Sequence, residues 1–147
     1  MICENLWLIG NFTMKILKDM KKDFRQFTEL SNKVIGCAIE VHRHLGPGLL
    51  ESIYQRCLAH ELGLNGIDFK VEHPLPVVYK DIKMDCGYRI DLFVESEIII
   101  ELKSVEKLLP IHEAQLLTYL KLANVKQGFL INFNVTQLKE GLKSYVL

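Results

Sequence analysis

The run Ile98-Ile99-Ile100 constrains this chain more than any other stretch, because an unbroken β-branched strand is stable only where both of its faces are covered. It lies within YRIDLFVESEIIIELK, where strand-like runs from Tyr88 to Val94 and from Ile98 to Lys103 flank the polar break Glu95-Ser96-Glu97. Such a pattern signals a hairpin. A three-residue loop sets Val94 opposite Ile98, and stepping down both strands from that pair brings Asp91 opposite Glu101. Lys103 joins them, since residues i and i+2 of a strand share a face. Opposed Cβ atoms stand about 4.5 to 5.5 Å apart, and carboxylates held that close repel unless a proton or cation lies between them. The hairpin therefore predicts a seat for a divalent metal with a lysine beside it.

The tripeptide Glu101-Leu102-Lys103 carries little information alone. A Glu-x-Lys arises by chance in roughly every second chain of this length, and Asp19-Met20-Lys21, Asp68-Phe69-Lys70 and Asp81-Ile82-Lys83 are acid-x-lysine decoys in this one. Position distinguishes it: it ends a strand read as central and buried, where charges are costly unless paired or metal-bound. The competing structural reading is an ion pair, Asp91 to Lys103 or Glu101 to Arg89.

A chain of 147 residues fits one domain. The net charge is zero but unevenly spread: residues 1–28 carry five Lys/Arg and three Asp/Glu, residues 29–102 seven and twelve, and residues 103–147 six and three. An acidic middle argues against a strong non-specific nucleic-acid-binding surface, though a local basic patch remains compatible with it. Cys3, Cys37, Cys57 and Cys86 form no C-x-x-C pair and read as reduced core residues of an intracellular, cytoplasmic protein. His42 and His44 point in different directions on a predicted helix and are not read as ligands. The N-terminal segment matches neither a signal peptide nor a membrane span. Met14 and Met20 both precede the first well-patterned helix, so residues 1–27 are read as a dispensable extension and residues 28–147 as the domain.

From Thr28, a candidate N-cap, Leu30, Val34, Cys37, Ala38, Val41 and Leu45 recur at helical spacing. Gly46-Pro47-Gly48 ends that helix, and a second is predicted from Leu49 to Leu62, burying Leu50, Ile53, Tyr54, Cys57, Leu58 and Leu62. Glu51 leans towards the apolar side of this helix, either as an acid favoured by the macrodipole or as a third carboxylate aimed at the metal. Lys70 to Lys80, with two prolines, suits an edge strand. Pro110 opens a third helix to Ala123, with His112, Gln115 and Tyr119 forming a polar stripe. The stripe reads either as a helix border facing water, the reading favoured from these residues alone, or, for Gln115 and Tyr119 at i, i+4, as a pair able to reach one site. Gly128 to Phe133 reads as a fourth, buried strand and Val135 to Leu147 as a closing helix. The order predicts an α/β fold with a mixed sheet.

Gly48-Leu49-Leu50-Glu51-Ser52-Ile53-Tyr54 resembles the G-x-x-E-x-x-Y signature of the GxxExxY proteins, a branch of the PD-(D/E)XK nuclease superfamily. The likeness runs from about Leu30 through Val146 and includes IGCAIEVHRHLGPGLLESIY, HPLPVVYK, YRIDLFV, IELKSVEKL, HEAQLLTYLKL and GFLINF. Ile90 departs from the superfamily's proline before the aspartate. The resemblance implies a restriction-endonuclease-like αβββαβ core with a mixed sheet flanked by helices. It implies a catalytic centre lined by Asp91, Glu101 and Lys103, completed by Glu51 and flanked by Gln115 and Tyr119.

On this reading Asp91, Glu101, the Leu102 backbone carbonyl and Glu51 hold Mg²⁺ or Mn²⁺, and Gln115 and Tyr119 position the substrate. The expected activity is metal-dependent phosphodiester hydrolysis, in DNA rather than RNA, by a soluble protein that a homodimer would suit. A non-catalytic binding or regulatory module with the same fold is the alternative, and an accessory scaffold protein a third. Deleting residues 1–13 is expected to leave the melting temperature nearly unchanged, and a large drop in a thermal scan would show that the segment packs on the domain.

Overall fold

The computed structural model describes residues 28–147, so the expectation for residues 1–27 lies outside the described residues. Helix α1, Glu29–Leu45, begins where the sequence places it. The Thr28 hydroxyl accepts the Ser31 amide at 3.2 Å and satisfies one of the orphan donors of the first turn. Gly46, at φ 65°, takes the chain out of the helix in a conformation that favours glycine. Helix α2, Glu51–Leu64, buries Tyr54, Leu58 and Leu62. That stripe, at i, i+4 and i+8, is narrower than expected. Leu50 is 73 % exposed because it precedes the helix as its N-cap, and Ile53 is exposed because it sits one residue, about 100°, off the stripe.

Strands β1 (Phe69–Pro74), β4 (Arg89–Val94), β5 (Ile98–Lys103), β6 (Gln127–Asn132) and β7 (Leu142–Val146) form one sheet in the order β1-β4-β5-β6-β7. Pairing is antiparallel except between β5 and β6, which are parallel and joined through helix α3, Pro110–Ala123. The expected αβββαβ order and mixed sheet are thus present. β1 is an edge strand as expected, but the run assigned to it divides. Strands β2 (Val77–Tyr79) and β3 (Ile82–Met84) form a separate antiparallel hairpin inserted between β1 and β4.

The largest correction concerns residues 135–147, which are not a closing helix. A short 3-10 turn, Leu138–Glu140, is followed by β7, paired antiparallel with β6 from Gln127↔Val146 to Ile131↔Leu142. Val135, Leu138 and Leu142 mimic a helical period in sequence, yet β6 is buried along its whole length and requires a hydrogen-bonded neighbour on its outer edge.

The central strands separate two apolar layers. Ile98, Ile100, Leu102, Phe129 and Ile131 pack with Val34, Ile35, Ala38, Tyr54, Leu58 and Leu62 from α1 and α2. Ile99 and Leu130 pack with Leu116 and Leu120 of α3. The isoleucine run is covered on both faces, as its composition requires. Gly128 sets the approach of α3: a Cβ there would lie 2.9 Å from Leu116 Cδ1, 3.1 Å from Leu120 Cδ2 and 3.3 Å from the Ile99 carbonyl oxygen. Gly128→Ala should therefore push α3 off the sheet and destabilise the fold by about 1 to 3 kcal/mol, measurable as a lower urea midpoint. An unchanged midpoint would show that α3 has room to give.

Candidate active site

The hairpin turn carries Glu95 and Ser96 at φ 51° and 54°, closed by the Glu97 amide donating to the Val94 carbonyl at 2.9 Å. Pairing starts at Val94↔Ile98, the register expected from a three-residue loop, continues through Phe93↔Ile99, and ends at Leu92↔Ile100. One step further the strands part. There the Leu102 amide donates to Asp91 Oδ2 at 2.8 Å, and the Asp91 amide approaches Glu101 Oε1 at 3.4 Å. Each carboxylate takes a backbone donor of the opposite strand just beyond the last ladder pair.

Asp91 also marks a break in strand alternation. Leu92 and Val94 pack on the α1/α2 side, whereas Ile90 belongs to the layer under α3. Opposite this break on β1, Glu72 is held at φ 51°, between the pairs Val71↔Leu92 and His73↔Ile90. The divergence gives the Asp91 carboxylate access to a cleft of about 220 Å³ lined by Glu51, Ser52, Gln55, Glu72, Asp91 and Leu102. Because the N–H and C=O of one strand residue point to the same neighbour, the Leu102 carbonyl is directed into the gap that its amide spans.

Both acids are strained electrostatically. Burial pushes the Glu101 carboxyl up to about 8, and the adjacent Asp91 charge adds to the shift. Burial also raises Asp91, as do Glu72 and Glu51, against the Leu102 hydrogen bond and the nearby Lys103 charge. Glu101 is 3 % exposed and within hydrogen-bond reach of Asp91. Lys103 is half-buried and lowers both pKa values, yet no ion pair within 4.0 Å ties it to either acid among the described residues. Arg89 is engaged with Asp85 at 3.5 Å instead. The ion-pair reading of the hairpin is therefore not realised.

Residues 28–145 match the sequence model of the PD-(D/E)XK nuclease superfamily. The chain belongs to that superfamily. No curated protein and no solved structure matches it. The divergence of β4 and β5 is thus the superfamily member's candidate active site, and the acids at the divergence are the pair that the sequence singled out.

Glu51 begins α2 and lines the cleft from its exposed rim, where its charge is felt by Asp91, but it does not close on the carboxylate pair. Among the described residues no three His, Cys, Asp or Glu side chains converge as a metal-binding cluster. The close oxygen donors are two carboxylates and a strand carbonyl, a set that fits a hard cation retaining several waters, as Mg²⁺ does when held by one or two carboxylates.

On α3, Gln115 Nε2 donates to the Tyr119 hydroxyl at 3.0 Å. Tyr119 is 5 % exposed, and burial raises its pKa, with the Glu101 and Asp91 charges adding to the effect. Through Tyr119 this pair lies within electrostatic reach of both acids. His112 does not belong with it: its Nδ1 accepts the Leu109 amide at 3.0 Å and caps the helix.

Sequence reasoning missed Gln55 and Glu72. Gln55 Nε2 donates to Glu72 Oε1 at 2.6 Å and to the Asp91 carbonyl at 3.0 Å, tying α2 to both strands. Its i, i+4 relation to Glu51 could have revealed it; nothing local marks Glu72. Tyr54, fully buried, stacks on Phe133 with ring centroids 4.5 Å apart, and its hydroxyl donates to the Gly46 carbonyl at 2.5 Å while accepting the Leu49 amide at 3.2 Å. The last residue of the G-x-x-E-x-x-Y run thereby fixes the loop that delivers Glu51.

Of His42 and His44, neither of them read as a ligand, the first has Nε2 2.8 Å from the Val135 carbonyl and the second pairs with Glu40. Cys37 and Cys57 are buried or half-buried free thiols, whereas Cys86 is exposed. No helix among the described residues is long and apolar enough to cross a membrane.

The acid pair sets a pH dependence. Glu101 holds its proton more tightly folded than unfolded, so folding takes up protons between the ordinary 4.5 and about 8, and stability falls as pH rises through that window. In a chelator, the melting temperature should decline from pH 5 to pH 8, and Glu101→Gln should flatten the decline. A wild-type curve that rises across this range would contradict the assigned direction.

Proposed function

We propose that this superfamily member is a nuclease that hydrolyses phosphodiester bonds, in DNA rather than RNA, with Mg²⁺ or Mn²⁺. The observation that carries this reading is that the Asp91 and Glu101 carboxylates each accept a backbone amide of the opposite strand where the strands part, with both pKa values raised: two acids kept together at an electrostatic cost that a cation relieves. Asp91, Glu101 and the Leu102 carbonyl would hold the ion, and Glu51 would support its charge from the cleft rim. A bound divalent ion supplies Lewis-acid chemistry, lowering the pKa of water and neutralising phosphate charge.

Lys103, free of an ion-pair partner within 4.0 Å among the described residues, orients the attacking water or stabilises the pentacovalent transition state. Gln115 and Tyr119, joined by their hydrogen bond, position the nucleic-acid backbone on the α3 side. The segment from Tyr88 to Lys103 holds four acids and two bases, so substrate affinity without metal is weak. Gly48, Glu51 and Tyr54 support assignment to the GxxExxY branch. A homodimer would allow both strands of a duplex to be cut.

Calorimetric titration with Mn²⁺ should give binding heat for the wild type and little for Asp91→Ala. Lys103→Ala should retain the heat while lowering cleavage of single-stranded, double-stranded or branched DNA on the order of 10²- to 10³-fold. No metal-dependent heat in the wild type would remove the nuclease reading and leave a scaffold; heat without cleavage of any of these substrates would favour a non-catalytic binding module.

A further inference from the structure

Tyr88 stands one residue before β4 and three before Asp91, about 10 Å along an extended strand. Its backbone is held from two sides, with the carbonyl accepting the Leu75 amide at 2.9 Å and Arg89 Nη1 at 2.9 Å. The approach to it is also fixed: the Gly87 amide donates to Asp85 Oδ1 at 3.1 Å, with Gly87 at φ 76°. The side chain behaves differently. Tyr88 is 47 % exposed and belongs to neither core layer, and its hydroxyl has no hydrogen-bond partner among the described residues. Its ring lies against Tyr119, with centroids 6.1 Å apart and planes at 61°.

An aromatic ring that is oriented by its neighbour yet left open to solvent contributes little to folding and much to stacking. Tyr119 in turn flanks the Asp91 and Glu101 carboxyls, so this ring stands at the rim of the candidate centre on its α3 side. Electrostatics supply little attraction for a polyanion here, because the chain has no net charge and the site segment is acidic. Stacking is a grip that does not depend on charge, and every base offers a π-face to it. Within a duplex, those faces are already occupied by neighbouring bases, so such a platform selects nucleotides that are out of the helix.

We propose that Tyr88 is a stacking platform for an unpaired nucleobase at the mouth of the candidate active site, so that the substrate class is nucleic acid with unpaired nucleotides at the point of cleavage. The inference rests on the nuclease reading and specifies its substrate. Tyr88 grips the base next to the scissile phosphate, Tyr119 backs the platform, and duplex regions are held only through their backbone.

The test uses the full chain carrying Lys103→Ala to suppress turnover, with Mn²⁺ present and fluorescence anisotropy as the readout. A labelled single strand and the same sequence as a blunt duplex are titrated against this protein with Tyr88 intact and with Tyr88→Ala, Tyr88→Phe or Tyr88→Trp. With Tyr88 intact, the single strand should bind more tightly than the duplex. Tyr88→Ala should weaken single-strand binding about 5- to 150-fold, the worth of one stacked base, and leave duplex binding within about twofold. The Phe and Trp variants should restore binding, and 2-aminopurine in the strand should be quenched by the protein with Tyr88 but not with Tyr88→Ala. A thermal scan of each variant separates loss of binding from loss of fold. Equal losses on both substrates, no loss on the single strand, or failure of the Phe and Trp variants to restore it would each overturn the platform. If the wild type still cleaves DNA in those cases, only this inference falls; if it neither binds nor cleaves any polynucleotide, the nuclease reading falls and the inference falls with it.

Discussion

Two acids that ought to repel are held in hydrogen-bond reach at the point where β4 and β5 part, and the rest of the structure is arranged to permit it. Asp91 is stabilised by the Leu102 amide, and Glu101 is approached by the Asp91 amide. Those donors are available because ladder pairing ends at Leu92↔Ile100. A regular hairpin would have consumed its backbone groups in strand pairing. The parting of the strands and the presence of the carboxylates are two aspects of one arrangement, since an unpaired buried backbone donor needs an acceptor as much as a buried acid needs a donor.

The helices hold this arrangement from both faces. On one side Tyr54 fixes the Gly46–Leu49 loop, while Gln55 bridges Glu72 and the Asp91 carbonyl. On the other, α3 approaches closely because residue 128 has no side chain, and that approach buries Tyr119 beside the acids. Polar contacts thus set one wall of the site and steric fit the other. Asn132 braces the chain beyond Lys103, its side chain accepting the Val105 amide at 3.1 Å and donating to the Val105 carbonyl at 2.9 Å.

The centre of the fold was legible because strand parity is a strong local rule. Ile98-Ile99-Ile100 had to be a covered central strand, and the three-residue turn fixed the line that carries Asp91 towards Glu101. Helix α1 and its Thr28 cap were equally readable, as was Pro110 opening α3. Parity failed where the chain violates it. Ile90 and Leu92 face opposite layers, and Glu72 adopts a left-handed conformation that no glycine or asparagine announces. The C-terminal segment was misread because Val135, Leu138 and Leu142 satisfy a helical period that the open edge of β6 overrides.

Sequence by itself determined which residues fall together on an element: Asp91 opposite Glu101 with Lys103 on the same strand face, Gln115 and Tyr119 at i, i+4, and a glutamate opening the second helix. These placements follow from periodicities of 2 and 3.6 acting over a few residues, whereas the roles of these residues at a site are what the family resemblance implies. Tertiary structure alone decided how they meet. It left Glu51 at the rim rather than on the acids, brought Glu72 and Gln55 to the cleft, removed His112 to a helix cap, and set an open Tyr88 ring against a buried Tyr119. Those outcomes depend on contacts between segments far apart in the chain, where packing and hydrogen-bond demand at one element determine the geometry of another, and no local pattern encodes that demand.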